Sequence, residues 1–313
     1  MALLELRSVR KHFTLGRGRK VHAVDDIDLE VRSQEVLGLV GESGSGKSTL
    51  ARVITGLHSR DEGNILFDGQ PLPRLYRGAD FRRLASQMQM IFQDPYSSLN
   101  SRMTVSEIVG EGLRLRGVPL TQRQQAAATW LERVGLRPEH LNRYAHEFSG
   151  GQRQRIGIAR ALITEPRFLV CDEPISALDV SVQAQVVNLL GELQENLGLT
   201  LLFIAHDLSM VRYISDRMAV MYLGALMEVG PADEVYFKPR HPYTQLLISS
   251  NPVADPRQRG RRKVSTGEVG SPVNVPVGCR FADRCPHAMA ECRTQTPRLR
   301  PVGADHKVAC FLY

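Results

Sequence analysis

A chain carrying Gly41-Glu42-Ser43-Gly44-Ser45-Gly46-Lys47-Ser48-Thr49 has little freedom in the rest of its fold, because that stretch works at only one kind of junction. The pattern G-x-x-x-x-G-K-[ST] needs a buried strand before it and a helix after it. Both are legible. Val36-Leu37-Gly38-Leu39-Val40 is the unbroken apolar run of a parallel strand, and Thr49-Leu50-Ala51-Arg52-Val53-Ile54 opens a helix. Gly41, Gly44 and Gly46, with Ser43 between them, let backbone N–H groups wrap a phosphate, and the helix N-terminus adds its positive end. Lys47 spans β- and γ-phosphates, the Ser48 hydroxyl ligates magnesium, and Thr49 completes the hydroxyl pair. A glycine-rich turn that holds nothing is the bland alternative; a lysine and a hydroxyl both in register argue against it.

A chain of 313 residues has room for an α/β core and a smaller appended unit, since single cores stop growing near ~250–300 residues. No window approaches the ~18 uninterrupted apolar residues of a membrane-spanning helix. The start, Met1-Ala2-Leu3-Leu4-Glu5-Leu6-Arg7, lacks the basic-then-apolar layout of a secretory signal, which implies a cytosolic setting with reduced thiols and no disulfides. The net charge of +7 raises the question of nucleic acid. The arginines are scattered rather than gathered on one face with interleaved aromatics, so no nucleic-acid partner is expected. The one dense run, Arg257-Gln258-Arg259-Gly260-Arg261-Arg262-Lys263, reads as a solvated linker with weak attraction for lipid headgroups.

Along the chain, Leu4, Leu6, Ile27, Leu29 and Val31 alternate with polar residues and predict a small N-terminal antiparallel sheet. Phe13 there is either a platform for a stacked base or a plain sheet residue. A strand over 62–69 extends the sheet. Met88-Gln89-Met90-Ile91-Phe92 is a short strand that ends at Gln93, whose amide either ligates magnesium and orients water or simply caps a turn. A helical insert occupies about 95–160, with an amphipathic helix from Thr121 to Val134 burying Ala127, Trp130, Leu131 and Val134. Phe148-Ser149-Gly150-Gly151-Gln152 opens the last helix of the insert, and its N–H groups and serine hydroxyl suit either an anion or mere capping. Phe168-Leu169-Val170-Cys171 then delivers Asp172 and Glu173 to the carboxyl end of a strand, the edge where α/β sheets bind ligands. Asp172 is placed to hold magnesium through its water shell and Glu173 to polarise an attacking water. After Ser176-Ala177-Leu178-Asp179 comes a structural helix with Val182, Val186, Leu189, Leu190, Leu193 and Leu197 on one stripe. Thr200–Ala205 is a second buried strand ending at His206-Asp207, where His206 is read as a γ-phosphate contact. Two further strands and a helix beginning at Pro231 follow.

In that order, GESGSGKST, Gln93, FSGGQ, FLVCDEP, SALD and His206 resemble the ATP-binding cassette of ABC transporters over residues 3 to 240. The resemblance implies a P-loop NTPase core with an N-terminal antiparallel β subdomain and a helical insert, binding ATP and magnesium. It implies catalytic roles for Glu173, His206 and Gln93 and nucleotide contacts from Phe13, the phosphate loop and Asp179. It also implies a head-to-tail dimer in which Ser149, Gly150, Gly151 and Gln152 complete the opposite site. Phe148 stands where leucine is usual, and Ser101 follows Tyr96-Ser97-Ser98-Leu99-Asn100 where proline is usual.

His241-Pro242-Tyr243-Thr244 and the cysteine-bearing tail resemble the C-terminal extension of oligopeptide and dipeptide importer ATPases, setting 1–240 apart from an irregular metal-binding extension over 241–313. This implies an ATP-hydrolysing subunit, peripheral on the cytoplasmic face of the inner membrane, that energises peptide import. Its implied partners are a homologous second ATPase, two permeases and an extracytoplasmic peptide-binding protein. Nickel or another small solute is the alternative cargo. A soluble ABC ATPase acting on ribosomes or DNA is the alternative class, and the paired cassettes or long coiled-coil insert usual there are absent.

Cys279, Cys285, Cys292 and Cys310 are four of the chain's five cysteines, the fifth being Cys171 within a strand. Their spacings, C-x5-C, C-x6-C and C-x17-C, lack the tight C-x2-4-C knuckle of structural zinc, whereas an iron-sulfur cluster accepts thiolates from wider loops. The family resemblance adds a 4Fe-4S cluster as the expected occupant, with zinc the runner-up. A tail rich in proline and arginine has too little core to fold unaided.

Overall fold

In the computed structural model, which describes residues 1–16, 18–94, 98–250, 270–273 and 275–313, the strands in chain order are β1 (Ala2–Thr14), β2 (Lys20–Arg32), β3 (Val36–Val40), β4 (Glu62–Phe67), β5 (Gln70–Pro71), β6 (Met88–Ile91), β7 (Phe168–Asp172), β8 (Thr200–Ile204), β9 (Arg217–Tyr222), β10 (Ala225–Pro231), β11 (Arg300–Gly303) and β12 (His306–Val308). The chain divides into two compact units, one of Met1–Leu75 with Ile204–Tyr313 and one of Tyr76–Phe203. The arginine-rich run at 257–263 lies outside the described residues, as do Tyr96 and Ser97.

In the first unit the alternation of β1 and β2 sends Leu4, Leu6, Val9, Ile27, Leu29 and Val31 inward, and the pair joins β4 and β5 in the order β2-β1-β4-β5. A second sheet runs β11-β12-β10-β9-β3. Every residue of β3 is buried, and β3 lies parallel to β9 with Leu37 opposite Arg217 and Val40 opposite Val220. Helix Leu208–Ile214 approaches β3 so closely that a Cβ added at Gly38 would fall 2.1 Å from Val211 Cγ1, so no larger residue fits there.

The tail is more regular than its composition predicts. β12 adds to β10, with Val229 opposite Lys307, and β11 adds to β12. Tyr243 and Phe281 are buried and pack with Tyr222, at ring separations of 4.5 Å for Tyr222–Tyr243 and 5.4 Å for Tyr243–Phe281. The tail strands are only three and four residues long, too brief for an alternation to show in the sequence.

In the second unit β6 and β7 are parallel, Met88 opposite Phe168 and Ile91 opposite Cys171, in the order β8-β7-β6. Helix Leu120–Arg133 buries Ala127, Trp130 and Leu131, as its periodicity predicts. Helix Val180–Leu197 buries Val186, Leu189, Leu190 and Leu193 and stops at Gly198, whose φ of 61° only glycine adopts readily. Two members of the expected stripe depart from it. Val182 is half-buried against Gly151, and Leu197, in the last turn, is 39% exposed.

Candidate functional site

The phosphate loop is built in the first unit by the turn from β3 into helix Lys47–Ile54. Gly46 has φ of 105°, and a Cβ there would lie 1.9 Å from the Ala23 carbonyl oxygen, so both the conformation and the space demand glycine. Lys47 is buried. Its Nζ donates to the carbonyl oxygens of Gly41 at 2.8 Å and Glu42 at 3.0 Å and to Ser45 Oγ at 3.3 Å, which holds the ammonium in the concave side of the loop. Phosphate oxygens would exchange for these acceptors one for one. Ser48 and Thr49 are half-buried in the first helical turn, and Ser43 and Gly44 are exposed at the loop's tip. The first N–H groups of any helix have no partner within it, which leaves this turn fit for an anion.

Phe13 is half-buried on β1, edge-on to His58 with ring centroids 5.4 Å apart and with Lys11 Nζ 5.3 Å from its ring. His206 is exposed just after β8. Its neighbour Asp207, which the sequence presents as half of a polar pair, caps helix Leu208–Ile214 by accepting from the N–H groups of Ser209 at 2.8 Å and Met210 at 3.2 Å.

The second unit gathers the other polar residues at the carboxyl ends of β6 and β7. Parallel pairing sets these ends side by side, so Gln93 and Glu173 meet although eighty residues apart: Gln93 Nε2 donates to Glu173 Oε2 at 2.7 Å. Asp172, last in β7, is 1% exposed. Glu173 adopts φ of 47°, a left-handed conformation that costs a non-glycine residue about 1–2 kcal/mol and is common at functional sites. Ser149 caps helix Gly150–Leu162 in a reciprocal box, its Oγ accepting from Gln152 N–H at 3.4 Å while Gln152 Oε1 accepts from Ser149 N–H at 3.1 Å. Capping thus occupies Ser149 and Gln152, while the first turn carries no acidic residue to repel an anion. Asp179 is the N-cap of helix Val180–Leu197 and makes no side-chain capping bond.

Cys279, Cys285, Cys292 and Cys310 line one pocket in the first unit together with His241 and Phe281. Burial pushes the Cys279 thiol up to about 11 and raises Cys285 and Cys310 as well. Among the described residues, the only His, Cys, Asp or Glu trio whose ligand atoms all lie within 4.8 Å is His12, His22 and Asp25. Arg280 Nη2 at 2.5 Å and Arg10 Nε at 3.4 Å already share the carboxylate of Asp25, which disfavours a further cation there.

Two residues beside the phosphate loop escaped the sequence reading. Arg284 donates to both carboxylate oxygens of Glu42, at 2.9 and 3.0 Å, and the Tyr243 hydroxyl accepts from Glu42 N–H at 2.9 Å. Only the positions of Arg284 beside Cys285 and of Tyr243 in His-Pro-Tyr hinted at them.

Residues 24–176 match the model of the ABC transporter family, and residues 227–292 match that of the oligopeptide/dipeptide transporter C-terminal region. Oligopeptide transport ATP-binding protein AppF of Bacillus subtilis is 49% identical over 322 residues, spanning 99% of this chain and 97% of that protein. The chain belongs to the ATP-binding proteins of the ABC transporter family. OppF of Salmonella typhimurium, likewise an oligopeptide transport ATP-binding protein, is 49% identical over 99% of this cassette protein and 96% of its own length. Among solved structures, cbiO1 from Clostridium perfringens, part of the ABC transporter complex cbiONQ, superposes with a TM-score of 0.66 at 30% identity over 76% of this chain and 91% of that one. The dimeric ABC transporter cassette MJ0796 gives 0.67 at 26% identity over 73% and 98%. No helix among the described residues of this family member is long and apolar enough to cross a membrane.

Proposed function

We infer that this chain binds and hydrolyses ATP to energise import of di- and oligopeptides through a membrane ABC transporter. The observation that carries the reading is the pairing of Gln93 with Glu173, which aims a carboxylate held in a left-handed conformation. Lys47 binds the β- and γ-phosphates, and the loop N–H groups cradle them. Ser48, Gln93 and Asp172 offer oxygen donors of the kind magnesium prefers, and the ion, when bound, neutralises charge between the β- and γ-phosphates. Glu173 takes the proton of the attacking water, His206 contacts the γ-phosphate, and Phe13 stacks on the adenine. Ser149, Gly150, Gly151 and Gln152 serve the site of a second cassette, with Asp179 beside that interface; MJ0796 offers a precedent for a cassette dimer. The partners are then a homologous ATPase, two permeases and an extracytoplasmic peptide-binding protein, with this chain peripheral on the cytoplasmic face of the inner membrane.

Glu173→Gln tests the reading. An amide keeps the hydrogen bond from Gln93 and removes the base, so the full complex should still bind ATP but turn over about 10²–10⁴-fold more slowly. Turnover near the parent rate would remove Glu173 from the role.

The same reading gives the four tail thiols an iron-sulfur cluster in preference to zinc, because they line one pocket and their sequence spacings lack the tight knuckle of structural zinc. The cluster would be structural or sensory. Anaerobic purification should yield bound iron and sulfide with broad visible absorbance, and replacing any one of these cysteines with serine should lower both contents while ATP still binds. Stoichiometric zinc without iron or sulfide would overturn the cluster.

A further inference from the structure

Glu42 is the one carboxylate within the phosphate loop. A carboxylate beside a polyphosphate repels it, so its presence needs a counterpart. Arg284 supplies one, with its guanidinium forked onto both carboxylate oxygens and its side chain only 8% exposed. The fork is itself fixed. The guanidinium donates to the Tyr222 hydroxyl at 3.3 Å and lies 5.7 Å from the Tyr222 ring and 5.6 Å from the Phe281 ring. Tyr243, fully buried, accepts from the Glu42 N–H, and the Glu42 carbonyl accepts from Lys47 Nζ. One residue of the loop is therefore held by the tail at its side chain and N–H and by the phosphate-binding lysine at its carbonyl. Arg284 closes the short helical turn Ala282–Arg284 and immediately precedes Cys285, whose N–H bonds back to Ala282 O at 3.3 Å.

We propose that Arg284 and Tyr243 are positioning residues for the phosphate loop, engaging Glu42 so that it does not oppose the nucleotide, and that they link the four-thiol site to nucleotide affinity. The proposal rests on the reading of the loop as an ATP site. Linkage makes the effect reciprocal: whatever orders the turn around Cys285 favours nucleotide, and nucleotide favours the ordered turn.

The test is titration of the anaerobically purified full chain with a fluorescent ADP analogue, with iron and sulfide measured on the same samples. Arg284→Gln should raise Kd about 10-fold, within the range usual for coupled sites. Adding Glu42→Gln should bring Kd back to within about threefold of the parent, because the freed carboxylate is gone. Tyr243→Phe should cost about threefold, and Glu42→Gln should not repair it, because the lost bond is to the backbone. If Arg284→Gln also empties the thiol site, Arg284→Lys, which keeps the charge and loses the fork, takes its place, with a loss of about threefold that the same second change repairs. Parent-like affinity in the arginine variant, or a double variant no tighter than the single, would overturn the proposal. A parent chain that binds no nucleotide would instead remove the ATP reading itself.

Discussion

His306 and Glu228 fasten the tail to the sheet, and their pairing can be perturbed at one residue. Glu228 on β10 is completely buried, and its carboxylate accepts from Arg240 N–H at 2.8 Å and His241 N–H at 2.9 Å and meets His306 Nε2 at 2.8 Å. His306 Nδ1 lies 3.2 Å from Glu234, and the ring packs on Gly230, where a Cβ would come within 2.9 Å of it. The Glu228 hydrogen bond, backed by Glu234, raises the His306 pKa above its ordinary 6.5. A raised histidine contributes stability that is complete below pH 6.5 and fades as pH climbs through the folded value. His306→Ala removes a bond to a charged group, worth about 1.5–3 kcal/mol, while two backbone donors still serve Glu228. Taking about 2 kcal/mol, opening of β12 becomes about 30-fold more frequent. Hydrogen exchange at residues 306–308, corrected for the intrinsic pH dependence of exchange, reads that ratio. It should be largest near pH 6 and smaller at pH 9. A ratio below about threefold at pH 6, or one that grows with pH, would refute the charged-pair argument.

Gly46→Ala should abolish nucleotide binding while leaving the chain folded, because the new Cβ would collide with the Ala23 carbonyl at 1.9 Å and distort the loop locally; unimpaired ADP titration would contradict this. If Ser149 and Gly151 serve the opposite site as proposed, the isolated chain should be a poor ATPase that becomes active with its homologous partner and permeases; full turnover by a preparation shown to be monomeric would contradict the shared-site reading.

The phosphate loop, the strand before it and the helix after it were legible because each is a local pattern: a run, a spacing, a start signal. The Gln93–Glu173 bond was not, because nothing within either segment says that β6 and β7 pair in parallel with Ile91 opposite Cys171. Glu228 shows the same limit more sharply. It is a lone carboxylate amid Leu226, Met227 and Val229, and it is fully buried because its partners arrive from residues 240, 241 and 306, which no local pattern reveals. The residue after His206 has a local use that its position alone does not show, since Asp207 accepts from the backbone of the next helix.

The two tail arginines explain why a short, proline-rich segment stays ordered beside the loop. Arg280, next to Cys279, reaches Asp25 on β2 and the carbonyl of Leu223; Arg284, next to Cys285, reaches Glu42. Leu223 and Gly224 form the turn between β9 and β10, and Gly224 N–H in turn donates to Ser45 O at 2.8 Å in the phosphate loop. The loop is thus bordered by one turn of the sheet and by the tail, and Arg280 ties these two borders to each other. Each arginine is largely buried and ion-paired, so deleting Arg284 leaves Glu42 without its counter-ion, and deleting Arg280 leaves Asp25 only the longer contact from Arg10, rather than merely removing a contact. The thiol site is consequently coupled to the loop through charge as well as shape. Salt should therefore weaken this link far less than it weakens an exposed pair such as Arg7 with Glu5, because buried charges are little screened.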